Sequence, residues 1–534
     1  MMKLIHSAIP GKDTSTLVGD FFVELWRRYT ALKELILSVT VEETGSILLT
    51  QYKNNTIFCE RKYNLTPGKH IIHLGSIDDL GDRLSCSLLT PFKKEHSFFW
   101  STFSSVILEP KISVVICTFN RPDSVMALLA KLKKQINFLH SIIIINQGDN
   151  KIKISKDNFS GQKKILIFDQ ENFGGAGGFS RGIIEALKDI ETTHIQLMDD
   201  DVEIDEIFFQ RLHSIISYLH PNYCIGGGMT SLSDKKSILS FGHKFNSSKC
   251  CSYSFVPDTN ERLYGSMVEY APVDFCGWWS FCFPKVAIKK TGLPLPLFIR
   301  GDDLEFGLRL SREGYPTLMW PGIEVSHPDL SSYSQPWHHF YDRRNAFICA
   351  YLNTRRIPWK GIFREYRGII NSIVLYDYLN ARMGIKSIRE FFVSYKRIKD
   401  FNLRKYKHIP DVENLDLECD NNFFEKRPIV RTMMVLIRIF RNFFSREYYR
   451  ANHKRHYIFS FEDWNVGTKI YPVCLYIYKG RGLFFMSLDK KEHFLILKDL
   501  IGSLFVIFIH HRKLSVDNLQ KLTTISWWEK KLSK

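Results

Sequence analysis

Apolar positions along this chain fall into three regimes. Over residues 1 to about 110 they come as short runs, Leu35–Val41, Ser46–Leu49 and His70–Leu74 among them, separated by turn residues. Short runs broken this evenly predict a small β-sandwich. From Lys111 the pattern predicts a buried strand over Ile112–Phe119, a helix over Ser124–Lys134 and strands over Ser141–Asn146 and Lys164–Phe168. A helix over Phe179–Lys188 and a fourth strand over Ile195–Met198 complete the series. Strands alternating with helices in this way build βαβ units and a parallel sheet. Beyond Asp342 helical spacing dominates.

Three domains follow from these regimes: a β-sandwich over 1–110, an α/β domain over 111–345 and a mainly helical domain over 346–534. Within the last, Met433, Leu436, Ile437, Phe440, Phe443 and Phe444 interleave with Arg431, Arg438, Arg441, Arg446 and Arg450. A basic amphipathic helix of this kind suits an anionic membrane surface, and it equally suits packing on the protein with its arginines in water. The apolar stretch Phe494–His510 is interrupted by Lys498 and Asp499, and it reads as a core segment rather than a membrane span. The opening MMKLIHSAIPGKDTS lacks the apolar region of a signal peptide.

Composition adds two points. A formal charge of +17 implies an anionic partner, for which nucleotide phosphates, lipid head groups and nucleic acid all qualify. Eleven cysteines show no C-x-x-C pair, which favours reduced thiols and a cytosolic setting.

The candidate chemistry clusters on the predicted parallel sheet. Six acids fall within the eight residues Asp199–Glu206, directly after a predicted strand. Such a run is usually a solvated loop, but at a strand's carboxyl end it can hold Mg²⁺ or Mn²⁺ through oxygen ligands. A later His327, in Glu324-Val-Ser-His-Pro328, would add an imidazole to that set. The stretch Asn172-Phe-Gly-Gly-Ala-Gly-Gly-Phe-Ser-Arg-Gly182 opens a helix; its glycines fit phosphate approach or tight packing alike. It makes a poor dinucleotide fingerprint, because it follows a third strand and has Ser180 where Gly or Ala would stand. In Phe275-Cys-Gly-Trp-Trp-Ser-Phe281, adjacent tryptophans on a strand would point to opposite faces, one into the core and one available to a sugar ring. Gly301-Asp-Asp-Leu-Glu-Phe-Gly-Leu-Arg309 starts a helix with two carboxylates side by side.

In the order CTFNRP, NQGD, NFGGAGGFSRG, MDDDV, CGWWSF, GDDLEFGLR and a later His, these stretches resemble the inverting family 2 glycosyltransferases of GT-A fold. More specifically, they resemble the bacterial galactofuranosyltransferases that polymerise galactan. The resemblance covers roughly residues 15 to 350, including Phe22–Thr30, and is faint beyond, down to Ser526-Trp527-Trp528. It implies Asp199, Asp201 and His327 as ligands of Mn²⁺ or Mg²⁺, Asp303 as catalytic base and Asp302 as its neighbour in the acceptor site. It further implies Arg121, Gln147 and Asn172, with Asp200, around a UDP-galactofuranose donor, and Trp278 and Trp279 as a platform for a glycan or lipid-linked saccharide acceptor.

The implied reaction is one displacement at the anomeric carbon: the base takes the acceptor proton while a metal-bound diphosphate departs. The implied setting is cell-envelope polysaccharide synthesis at the inner face of the membrane, with homo-oligomer formation left open. Another nucleotide sugar as donor, and a carbohydrate-binding protein with a degenerate transferase domain, stand as alternatives. An oxidoreductase is disfavoured by the misplaced glycine motif, and a nucleic-acid binder by the acidic run.

Overall fold

The computed structural model describes residues 3–6, 20–89, 96–152, 164–233, 238–254, 272–328, 338–374 and 377–393, strands at 458–460, 473–478 and 482–487, and residues 490–510 and 521–532. The predicted basic helix over 428–455 lies outside the described residues.

The amino-terminal region is a sandwich of two antiparallel sheets. One runs in the order β1 (Lys3–His6), β7 (His96–Thr102), β2 (Glu34–Val41), β5 (Gly68–Ser76). The other is β4 (Thr56–Leu65), β3 (Gly45–Lys53), β6 (Arg83–Leu88). Leu37, Val39, Ile47, Leu49 and Trp100 are buried in it. The helix α1 (Val23–Tyr29) ties the sandwich to the next unit: Trp26 stacks on Phe21 and meets Trp320 edge-on at 5.3 Å. Both units share one continuous apolar core.

The central sheet sets up the site. Its order is β10 (Lys164–Asp169), β9 (Ser141–Asn146), β8 (Ile112–Thr118), β11 (His194–Asp199), β16 (Phe281–Pro284), β12 (Cys224–Ser231) and β13 (Ile238–Ser240), with β17 (Thr317–His327) also on β12. β10, β9, β8 and β11 are mutually parallel, and β16 is antiparallel to both its neighbours. The all-apolar strands, such as Ile142–Ile145, are buried on both faces because helices cover them. Chain order reverses between β8 and β11: β8 connects outward to β9 and β10, then the chain returns to β8's other side. A crevice opens at the carboxyl ends of strands flanking such a reversal. Asp199, opposite Cys117 in the register, ends β11 at that crevice. The fold is the expected α/β architecture, a largely parallel sheet wound on both sides of β8, with an amino-terminal sandwich.

Three local expectations are corrected. The helix α3 spans Gly174–Lys188 and so begins five residues earlier than predicted. Its glycines serve close packing on the sheet: a Cβ on Gly178 would lie 2.1 Å from the Cys117 sulfur, and one on Gly182 would lie 2.0 Å from Val115. Second, the region beyond Asp342 holds the expected helices His338–Thr354, Trp359–Val374 and Tyr378–Val393, but also a three-stranded sheet, β18 (Ile458–Ser460), β19 (Val473–Tyr478) and β20 (Gly482–Ser487). Third, the stretch expected to be a core segment is a helix, Lys490–His510, long and apolar enough by composition to cross a membrane. Ile496 and Ser503 face the protein, whereas Phe494, Ile501, Leu504, Phe505 and Ile509 are exposed. These exposed positions recur at helical spacing and form a second apolar face opposite the packed one.

Candidate active site

The acidic run is anchored, not loose. Val202 and Ile204 point into the core and leave the flanking carboxylates on the outer side. The last three acids are paired with cations: Glu203 with Lys131, Asp205 with Arg211 and Glu206 with Lys134. Glu203 and Ser326 exchange two backbone hydrogen bonds of 2.8 Å, so the loop is stitched to the end of β17. That stitch carries His327 to the first three aspartates. Its Nε2 lies 3.3 Å from Asp201 and 3.9 Å from Asp199.

The donor set fits a divalent cation. Ligand atoms of Asp199, Asp201 and His327 lie within 4.8 Å of one another. His327 Nδ1 sits 2.6 Å from the Pro328 carbonyl, which can only accept, so Nδ1 carries a proton and Nε2 is the atom turned to the carboxylates. Two carboxylate oxygens and one imidazole nitrogen suit Mn²⁺ or Mg²⁺ with positions left for phosphate and water.

The three side chains are electrostatically coupled. Burial, then the Asp201 charge, raise Asp199 to about 6. Burial works against protonated His327, but the hydrogen bond to Asp201 and the charges of both aspartates outweigh it and raise it to about 9. Asp200 is buried and turns away: it accepts the Thr118 hydroxyl and pairs with Arg121 at 3.1 Å. Burial raises it to about 7 despite the Arg121 charge. Arg121, just before the helix α2 (Pro122–Lys134), also pairs with Asp201. The residue expected on the donor thus bridges two of the three aspartates.

Opposite stands the Asp302–Arg312 helix, preceded by a turn with positive φ at Phe298, Arg300 and Gly301. Asp302 is buried, and its Oδ2 lies 3.1 Å from where a Cβ on Gly175 would be, at the amino end of α3. Burial and the Asp303 charge push the Asp302 carboxyl well above the usual range. Asp303 is only half-buried; burial raises it to about 6 against the pull of the Leu304 N–H and Arg300. The charges of Arg300 and Asp303 both reach Asp199, so the two acidic elements lie near one another.

Gln147 and Asn172 are brought to the same rim, where they organise the loop before α3. Gln147 donates to the Gly174 carbonyl at 2.9 Å and accepts from Phe173 N–H and Gln170. Asn172 Oδ1 accepts from Gly174 N–H at 2.9 Å. The expectation for the tryptophans changes. Residues 278 and 279 form a turn, not a strand, and both rings are buried. Trp279 donates to the Gly227 carbonyl at 2.9 Å, while the Trp278 indole N–H has no partner among the described residues. Trp278 packs edge-on against Phe179 and Phe306, one helical turn from Asp302.

One contributor lies far along the chain. Trp528 is buried, donates to the Pro294 carbonyl at 2.9 Å, and lies 3.7 Å from where a Cβ on Gly177 would be. Leu293 N–H bonds to the Thr523 carbonyl at 2.8 Å. The 521–532 segment therefore buttresses both the glycine-rich helix start and the loop that leads to Asp302. The Trp527-Trp528 pair was its only signal in the sequence.

Comparison with known proteins places this geometry in context. Residues 110–346 match the family model described as glycosyltransferase like family 2. The chain is 25% identical over 434 residues to the galactofuranosyltransferase GlfT2 of Mycobacterium tuberculosis, covering 72% of this chain and 65% of the relative. It is also 25% identical over 444 residues to GlfT2 of Mycolicibacterium smegmatis, covering 75% and 66%. The chain thus spans about two thirds of the length of these curated relatives. Among solved structures, a mannosyltransferase from Pyrobaculum calidifontis in complex with GDP-Man and Mn²⁺ is 11% identical, with a TM-score of 0.32 over 56% of this chain and 78% of that one.

Proposed function

We propose, for a chain whose central module belongs to the family 2 glycosyltransferases, that the protein is a metal-dependent inverting transferase of galactofuranose from UDP-galactofuranose to a glycan or lipid-linked saccharide in cell-surface polysaccharide synthesis. The observation that carries this reading is the ligand set of Asp199, Asp201 and His327 beside a second acidic element whose Asp303 lies close enough to feel the Asp199 charge. The sandwich over 1–110, the transferase domain over 111–345 and the mainly helical domain over 346–534 are the proposed units.

Asp199, Asp201 and His327 would hold Mn²⁺ or Mg²⁺, which supplies Lewis-acid stabilisation of the departing diphosphate. Gln147 and Asn172 fix the rim along which the nucleotide lies, and Arg121 is released from the aspartates to the donor phosphates as their charge is neutralised. Asp303, half-buried and ionised near neutrality, takes the proton of the acceptor hydroxyl from the opposite side. One displacement between opposed groups inverts the anomeric centre. With both rings buried, Trp278 and Trp279 shape the acceptor site from behind.

The first test needs no acceptor. Purified protein is incubated with Mn²⁺ and a panel of nucleotide sugars, with and without chelator, and UDP release by slow hydrolysis is measured. Chelator-sensitive release from UDP-galactofuranose alone is expected. Release from a different sugar would keep the mechanism and replace the donor, whereas binding of nucleotide unaffected by chelator would remove the metal-dependent reading.

The exposed apolar face of the Lys490–His510 helix supports peripheral contact with an anionic membrane, with Lys491 and Lys498 within one helical turn of Phe494. Replacing Ile501 and Phe505 by serine is expected to lower co-sedimentation with phosphatidylglycerol vesicles severalfold without changing UDP release. Undiminished co-sedimentation would remove this helix from the membrane contact.

A further inference from the structure

The turn before Asp302 is held in a conformation its own residues resist. Phe298 has φ +75° and Arg300 φ +61°, left-handed values that a bulky aromatic or a long basic side chain adopts at a cost. Gly301 follows at φ +79°, where glycine is at ease. Such a turn persists only when its surroundings over-determine it.

They do so from two sides. On one, the Phe298 carbonyl accepts Ala176 N–H at 3.1 Å, and a Cβ on Gly174 would lie 2.1 Å from that carbonyl oxygen. On the other, the His338–Thr354 helix contributes Asn345, which has no exposed surface. Its Nδ2 donates to the carbonyls of Ile299 at 2.9 Å and Arg300 at 2.5 Å, with Leu297 at 3.3 Å. The amide cannot be turned around, because its Oδ1 accepts from Arg344 Nε at 2.8 Å, and Arg344 itself reaches the Leu297 carbonyl at 3.0 Å. One side chain therefore satisfies consecutive carbonyls of a turn too tight to bond within itself. The turn ends on Asp302 and Asp303 and presents Arg300 toward Asp199.

We propose that Asn345 is a positioning residue for the transfer step: its amide fixes the 297–301 turn and so sets where Arg300 and Asp303 stand across from Asp199. The proposal rests on the reading of Asp303 as the base. It assigns Arg344 the role of orienting Asn345, and it assigns the left-handed turn, rather than helix packing, as the element through which Asn345 acts.

The test separates chemistry from donor binding and from stability. Asn345→Asp keeps the shape of the side chain but turns a second acceptor toward the Ile299 and Arg300 carbonyls. Gly301→Ala strains the same turn from its own backbone, at φ +79°, and leaves the Asn345 amide itself in place, although the new Cβ would lie 3.2 Å from the Asn345 Cβ. Both are expected to lower kcat at least tenfold with the KM for donor, and UDP affinity in Mn²⁺, within twofold. Phe347→Leu, in the same helix but packed on Phe391 away from the turn, serves as the control. It is expected to lower the thermal midpoint with kcat near wild type. If Asn345→Asp does not fold, Asn345→Ser and Gly301→Ala carry the test. Losses of kcat that merely track the thermal midpoint across all variants, or a kcat unchanged in both turn variants, would overturn the proposal. Retained transfer in Asp303→Asn would instead overturn the base reading on which it stands.

Discussion

Asp303→Ala is expected to lower transfer by about 10²–10⁴-fold, the range over which general bases contribute, while Mn²⁺-dependent UDP binding stays intact. The neighbouring acid sharpens this expectation. Two buried carboxylates side by side do not both ionise readily, and the first proton is lost by the more exposed and better stabilised one. Asp303 is half-buried, accepts the Leu304 N–H at 2.7 Å and feels Arg300, whereas Asp302 is buried and held well above the ordinary carboxylate range. Asp302 is therefore the protonated partner near neutral pH and Asp303 the ionised base. Asp302→Asn, which imitates the protonated acid, should lose far less activity than Asp303→Asn. Because a base must be unprotonated to act, kcat/KM should fall as pH drops through about 6, where Asp303 titrates. Loss of UDP binding in a correctly folded Asp303→Ala protein would show that the residue serves the donor, not the acceptor.

What was legible in the chain and what was not divide along the range of the contacts involved. The strands 112–118 and 141–146 announce themselves by runs of Ile and Val, because both faces of the sheet are covered there, and the partly exposed edge strand 164–169 by its apolar Ile-Leu-Ile-Phe stretch. The acids at the end of β11 and the pair before the Asp302–Arg312 helix could be found because chemistry at strand ends and helix starts leaves a local signature. The tryptophan pair could not be placed by alternation, since a turn has no alternating faces and both rings fold inward. Glycines at 178 and 182 served packing against Cys117 and Val115, partners some 60 positions away that no local pattern names. Asn345 and Trp528 belong to the same class: each acts on the 292–301 loop through hydrogen bonds to backbone carbonyls, which place no demand on the residue types bonded. The hairpin of β19 and β20 was legible in retrospect, as two apolar runs around Lys479-Gly480-Arg481. The Lys490–His510 helix misled because its composition suits a core, while only one of its two apolar faces is packed.

Asp201→Ala is expected to abolish metal-dependent UDP binding, with a loss of roughly 100-fold or more, since even residues that merely orient a ligand cost 10–100-fold when removed. Three interactions converge on this carboxylate: His327, Arg121 and the cation it would share with Asp199. The pH dependence distinguishes metal binding from a general weakening of the fold. Without metal His327 titrates at about 9, so at neutral pH it is an imidazolium whose proton must leave before Nε2 can ligate. Mn²⁺ affinity should accordingly rise about tenfold per pH unit from 7 toward 9, and calorimetry in buffers of different ionisation enthalpy should register close to one proton released. In His327→Gln the affinity should be lower, and flat over the same interval. Asp199, raised to about 6, adds a second dependence only at lower pH. An affinity in the wild-type protein that does not change between pH 7 and 9 would mean that His327 stays protonated beside the metal. The imidazolium would then be a partner to the departing phosphate, and the cation would rest on the two aspartates alone.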